Sequence, residues 1–327
     1  MTTASLRSRP SGFAAGSSTP NLRERAKRVV QYRRILKLLV ARDLKVRYAG
    51  SFLGYLWTIL DPLLMSLVYW FVFTKVFHRS AGSDFAPYML YLVSGQLPWY
   101  WFNGGVMGAA RALRSEAQMV RSTNVPRELW VLRVVASKYI EYLFGLPVLA
   151  IFALAYLTAP TPYIFLLPVG WLIEVTLLMG MGLVLAPLNV LIRDIERIVP
   201  IFMRMLFYAS PVLYSIQQAP TSLRGIYTFN PTVGFLLISR AAFFPAALKE
   251  KKTKYVGGHL VVDDAHAQIV KGAPVVKGHA HLEGGHTVVH TVGHWNWIWH
   301  SAIGALIVLL IGGFVFMRLE RHVLKEI

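Results

Sequence analysis

Apolar residues in this chain gather into long runs with few charges inside them. The runs fall at about 52–77, 86–108, 134–158, 163–190, 199–217 and 297–317. A helix rises about 1.5 Å per residue, so each run comes close to the roughly 20 residues that a hydrocarbon core about 30 Å thick demands. The pattern predicts an all-α polytopic membrane domain over residues 49–317 with six transmembrane helices. Upstream, residues 22–48 interleave ten basic and two acidic residues with Leu22, Val29, Tyr32, Leu36, Leu39, Val40 and Leu44 at roughly helical spacing. This predicts an amphipathic interface helix, its apolar stripe in the headgroup boundary and its cations against lipid phosphates. Residues 249–296 break the helical pattern. They are rich in Gly and Val, and their short alternations predict a small β-rich insertion. The ends are short: residues 1–21 have the Ser, Arg, Gly and Pro content of a disordered tail or a transit peptide, and 318–327 form a second tail. The first apolar run is too long for a signal peptide and is followed by others, which argues against a cleaved leader.

Composition strengthens this picture: 55% of residues are hydrophobic and only 15% charged, outside the usual balance of soluble proteins. The net charge of +18 would point to nucleic acid in a soluble protein, but here its placement matters more than its size. Twelve Lys and Arg lie in residues 1–48, five in 109–133, two in 191–198 and three from Arg318 onward, against Lys75 and Arg79 in the opposite short loops. The positive-inside rule then puts both termini in the cytoplasm and makes lipid, not nucleic acid, the partner of these charges. Segment 218–296 is also basic, but loops of that length cross largely regardless of charge.

Several chemistries are excluded or disfavoured. Cysteine is absent, which removes disulfides, thiolate metal sites and a cysteine nucleophile. No G-x-x-x-x-G-K-[ST] string occurs, so ATP and its Mg must be held by a partner chain, and no catalytic residue is expected in this one. The run Leu92-Val93-Ser94-Gly95-Gln96 echoes an ABC signature faintly, yet it lies inside an apolar run and lacks paired glycines. Eight of the ten histidines fall between His259 and His300. His286, His290 and His294 share one face of an extended strand, making them weak zinc candidates. Without HExxH or cysteine beside them, no metal is expected. Inside the spans stand Asp61, Lys138, Glu141, Glu174 and Arg204. Lys138 and Glu141 are spaced to pair on one helical face, while Glu174 and Arg204 would pair across the bundle or touch substrate.

Ordered motifs then carry a resemblance. Arg42-Asp43-Leu44-Lys45-Val46-Arg47-Tyr48 runs into Gly50-Ser51-Phe52-Leu53-Gly54-Tyr55-Leu56-Trp57 and Asp61-Pro62-Leu63-Leu64. Asn124-Val125-Pro126-Arg127-Glu128-Leu129, Arg193-Asp194-Ile195, Ser210-Pro211-Val212 and Asn230-Pro231-Thr232 with Arg240 follow in order. The set resembles the ABC-2 permeases that export O-antigen, teichoic acid and actinobacterial galactan. It covers about residues 22–246 and the last span; the 249–296 insertion departs from it.

The resemblance implies a homodimer in the bacterial inner membrane, with twelve spans around a channel and two copies of an ABC ATPase subunit beneath. It implies a lipid-linked polysaccharide as cargo. ATPase contact would fall on the interface helix and the 109–133 loop, at Arg121, Ser122, Asn124, Arg127 and Glu128. Residues 218–246 would form two short re-entrant helices, an outer gate containing Asn230, Pro231 and Arg240. Sugars offer flat C–H faces that stack on rings, so Tyr55, Trp57, Asp61, Tyr69, Tyr91, Trp99, Tyr208 and Tyr214 are channel-lining candidates. Interfacial belts use the same residue types. Two other functions stay open: an ABC-2 exporter of drugs or other lipophilic molecules, with the same fold, and a polytopic glycosyltransferase. The latter needs convergent carboxylates, whereas Asp84, Asp263, Asp264 and Glu283 stand apart from the spans.

Overall fold

A computed structural model describes residues 22–76, 85–214, 216, 225, 227–244 and 295–326, with the backbone of four short strands between 253 and 289. The amphipathic segment forms two helices, α1 (Leu22–Gln31) and α2 (Arg33–Tyr48), that meet at Tyr32, whose ψ of 13° leaves the helical value. The Tyr32 N–H still reaches the Arg28 carbonyl at 3.1 Å, so the join is a kink. Leu39 and Val40 are buried, and Leu39 packs with Ala112, Leu113 and Trp130 of the membrane domain. Val30, Leu38 and Val46 stay exposed. The apolar stripe is thus shared between protein contact and an outward face.

Gly50 and Gly54, at φ of 75° and 49°, turn the chain from α2 into the membrane domain, a left-handed geometry that a side chain would resist. A short 3₁₀ turn (Gly54–Leu56) leads into α3 (Trp57–Trp70), which continues as a π-helical turn, Phe71–Val76. Next come α4 (Phe85–Ser115), the short α5 (Ala117–Ser122) and α6 (Glu128–Ala155). A 3₁₀ turn (Pro162–Leu166) opens α7 (Leu167–Leu191), followed by α8 (Ile195–Ala209), α9 (Val233–Ala241) and α10 (Trp295–Glu326). The fifth apolar run, expected to continue to 217, ends as a helix at Ala209, while the last continues past 317 to Glu326.

Three helices are long and apolar enough to cross a membrane by length and composition: Glu128–Ala155, Pro162–Leu191 and Trp295–Val323. Their lipid-compatible faces are plain. Ile151, Leu154, Leu172, Ile307, Leu310 and Phe314 are all exposed, a pattern that water would penalise and hydrocarbon does not. The apolar pattern of α4 is broken by Gln96, Pro98 and Asn103, α8 has only 15 residues, and α3 changes to π geometry.

The helices pack by small residues, as expected where lipid provides no hydrophobic drive between them. A Cβ on Gly180 of α7 would lie 2.5 Å from the backbone nitrogen of Leu309 of α10, so these two backbones touch. Helix α9 is nine residues long and buried throughout. At about 14 Å it is too short to cross, and it wedges against α4, α7 and α10. The strands Thr253–Val256, His259–Val262, Ala280–Glu283 and His286–Val289, β1 to β4, pair antiparallel in the order β2-β1-β4-β3. The other described elements are helices joined by short turns.

Candidate functional site

Polar side chains are sparse in this molecule, and three groups of them join helices that are distant in sequence. The first group is a latch between α2 and the adjoining ends of α4, α5 and α6. Arg42 of α2 donates to Glu116 at 2.5 Å, and Arg133 of α6 donates to the same carboxylate at 2.8 Å. Asp43 closes the ring, 3.1 Å from Arg133 Nε. One turn further on, Arg47 reaches Glu141 at 2.9 Å, and Lys138 shares that carboxylate at 2.6 Å. The expected Lys138–Glu141 pair is therefore present, with Arg47 as a third member. Arg133 is 6% exposed at its side chain, so charge is neutralised here with little help from water. Burial pushes the Glu116 carboxyl up, but hydrogen bonds and charge from Arg133 and Arg42 outweigh it and hold the group below its usual range.

The second group lines a cleft of about 380 Å³ between α3, α4 and α8. Tyr69, Trp99 and Tyr208, all expected in a channel wall, lie there with Tyr100, Phe207, Gln96, Asn103 and Arg204. Their rings form a continuous surface: Tyr69 and Trp99 lie 6.2 and 5.5 Å from Phe207, and Phe207 5.2 Å from Tyr208, between centroids. Ser66 Oγ sits 2.7 Å from the Pro62 carbonyl and 2.6 Å from Gln96 Oε1, linking α3 to α4 where proline interrupts the hydrogen-bond ladder.

A third group clasps α9 to the end of α8. Asn230 Nδ2 donates to Ser210 Oγ at 3.0 Å, Ser210 and Thr232 hydroxyls lie 2.9 Å apart, and Asn230 Oδ1 accepts from the Thr232 N–H at 3.0 Å. Pro231, between them, has its Cβ 3.4 Å from where a Cβ on Gly304 of α10 would lie. Arg240, 2% exposed, donates to the carbonyls of Pro211, Val212 and Tyr214. Its guanidinium also lies 4.0 Å from the ring centroid of Tyr91, a cation–π contact in a dry site. Gly95 makes room: a Cβ there would stand 2.7 Å from Arg240 Nη2. The segment that echoes an ABC signature thus has a packing role.

The remaining expected residues scatter. Tyr91 and Tyr214 belong to the Arg240 clasp, where the Tyr214 hydroxyl meets that of Tyr227 at 2.8 Å. Trp57 and Asp61 are exposed on α3. Tyr55 lies in the 3₁₀ turn, its side chain outside the described residues. Arg121 and Ser122 are exposed at the end of α5. The Asn124 carbonyl lies 3.4 Å from the Tyr32 hydroxyl, and Glu128 begins α6. Arg127 is engaged by Glu320 of α10 at 2.9 Å. Glu174 and Arg204 do not pair: the Glu174 carboxyl is buried with no hydrogen bond among the described residues, while Arg204 faces the cleft. His286 lies in β4, and His290 and His294 are outside the described residues. Glu116, Arg133, Gln96 and Asn103 were not anticipated. The available signal was their polarity at the ends or middle of apolar runs.

Residues 34–244 match the family described as ABC-2 type transporter. The O-antigen export system permease protein RfbA of Myxococcus xanthus is 34% identical over 222 residues, 67% of this chain and 84% of the relative. RfbA of Klebsiella pneumoniae is 30% identical over 215 residues, 65% and 82% of the two chains. The polysialic acid transport protein KpsM of Escherichia coli is 21% identical over 216 residues, 66% and 83%. The family match takes in the latch, the cleft and the clasp.

Proposed function

The chain belongs to the ABC-2 type transporter family, and on that premise we propose that it is the membrane permease of an ABC exporter of lipid-linked polysaccharide. The similarity to O-antigen permeases over more than four fifths of their length carries the reading, and the ring-lined cleft supports it, because aromatic faces suit sugars. Six spans, both termini cytoplasmic, cross the bacterial inner membrane, and two copies of the chain enclose the path. ATP is hydrolysed on two separate ATPase subunits, which bear on the surface formed by α2, α5 and the loop through Asn124, Arg127 and Glu128. Tyr69, Trp99 and Tyr208 contribute to the path wall. The clasp of Asn230, Pro231 and Arg240 closes it on the outer side, where the short-stranded insertion also lies. O-antigen, teichoic acid and galactan are the polymer types in view.

Depleting the chain in cells tests this. Lipid-linked glycan is expected to build up on the cytoplasmic face while surface glycan falls. Normal surface glycan after depletion would contradict polysaccharide export. Purified alone, the chain is expected to hydrolyse no ATP, and hydrolysis is expected once the ATPase subunit is added.

A further inference from the structure

The export reading assigns the His-rich insertion no task, yet the register of its strands sets metal-ligating residue types side by side. Strand β3 pairs antiparallel with β4, with Glu283 opposite His286 and His281 opposite Val288. In sequence, Gly284 and Gly285 stand between the paired positions Glu283 and His286, and Gly-Gly between two short runs is a signal for a two-residue hairpin loop. The same arrangement recurs at Val256 and His259, with Gly257-Gly258 between them. Sequence and register therefore agree. Residues two apart on a strand share a face, and so do residues paired across strands. His281 and Glu283 of β3 and His286 of β4 thus occupy one face of the sheet. The register gives His286 companions other than the His290 and His294 that its spacing suggests.

Two imidazoles and a carboxylate are a zinc donor set. Directly opposed positions stand about 4.5–5.5 Å apart between Cβ atoms, and diagonal ones, as His281 and His286 are, about 7–8 Å. Three such residues can meet on one ion through bonds of about 2.0–2.2 Å, leaving a fourth position for water or a further donor. Imidazole nitrogen suits Zn²⁺, whereas Mg²⁺ and Ca²⁺ prefer oxygen throughout. The size of the insertion also calls for a tie. Residues 249–296 number 48 and include no cysteine, and each of the four strands is four residues long. A unit this small buries little apolar surface of its own and is ordinarily held by disulfides, a metal or a neighbouring surface. Disulfides are excluded here. We propose that His281, Glu283 and His286 together bind Zn²⁺ and so tie β3 to β4. A cross-strand ion pair would account for Glu283 and His286, but not for His281 on the same face.

The full chain, purified through a tag without histidine and placed in nanodiscs, is titrated with zinc in competition with a chelating dye. Wild type is expected to take up one Zn²⁺ per chain with a dissociation constant of about 1 μM or below. His281→Ala, Glu283→Ala and His286→Ala are each expected to weaken uptake by at least about tenfold in chains that remain monodisperse, since even groups that only orient a metal ligand contribute that much. His290→Ala and His294→Ala are expected to bind as wild type does. Zinc is also expected to slow amide exchange in β3 and β4 of wild type and to leave it unaltered in His286→Ala. Three results overturn the inference. The first is no uptake by wild type. The second is an equal loss in all five variants, the behaviour of a diffuse histidine-rich chelator. The third is uptake that leaves exchange in β3 and β4 unchanged.

Discussion

Arg240 shows how one side chain can hold an irregular turn inside a membrane protein. The chain leaves α8 at Ala209 and runs through Ser210, Pro211 and Val212 without a helical ladder. Carbonyls freed in this way must find donors inside the protein, because lipid has none. Arg240 supplies three of them and rests on Tyr91. Arg240→Ala is expected to lower stability by about 3 kcal/mol, since each buried carbonyl left unmade costs about 1–3 kcal/mol. Gly95→Ala is expected to destabilise as well, by crowding Nη2, and the two changes together to cost less than their sum. Denaturation of the detergent-solubilised chain measures all four corners of that cycle; strict additivity would mean that Gly95 does not serve Arg240. Much of this was hidden in the sequence. Asn230, Pro231 and Arg240 stood out by resemblance, yet nothing in their spacing says that Gly95, more than a hundred positions away, is the space the guanidinium occupies.

Elements were more legible than contacts. Helices coincide with the apolar runs among the described residues, and three of them are long and apolar enough to cross a membrane, where a helix satisfies its own backbone. Their ends moved where local chemistry intervened: at Gly50 and Gly54 before α3, and at Ser210-Pro211 after α8. The interface segment became two helices at Tyr32, and its attachment to the bundle was not visible in its periodicity. That attachment is the Glu116 latch. Because its partners depress the Glu116 carboxyl, the stabilisation is fully present above the ordinary carboxylate range. It is lost as pH falls through the depressed value. Amide exchange in α2, corrected for intrinsic rates, is therefore expected to be slow at neutral pH and to quicken only in strong acid. Glu116→Gln, which leaves Asp43 as the carboxylate facing both Arg42 and Arg133, is expected to exchange faster at neutral pH with a flattened pH response. Unchanged protection in Glu116→Gln would show that apolar packing of Leu39 and Val40 holds α2 by itself.

For the whole molecule, the orientation expected from loop charge is open to direct chemistry. The absence of cysteine gives a silent background for single-cysteine labelling. Ser122→Cys is expected to react with an impermeant maleimide only in inside-out vesicles, and Thr158→Cys only in intact cells; the reverse pattern would invert the topology. Aromatic residues show the limit of reading at this scale. Trp57, Tyr91, Trp99 and Tyr214 are alike in a sequence, but only Trp99 joins the cleft, because which face of a helix turns inward depends on partners elsewhere in the chain. Helix α10 has a consequence of its own. It runs unbroken for 32 residues, meets α9 near one end through Ser301, whose Oγ lies 2.8 Å from the Gly234 N–H, and meets Arg127 near the other through Glu320. Those contacts are nineteen positions apart, about 28 Å along the helix, nearly a full bilayer core. With its backbone seated against α7 at Gly180, α10 has the attributes of a push-rod: stiff, guided at mid-length, and jointed at both ends. The Arg127 contact and the α9 contact are therefore carried by one continuous helix.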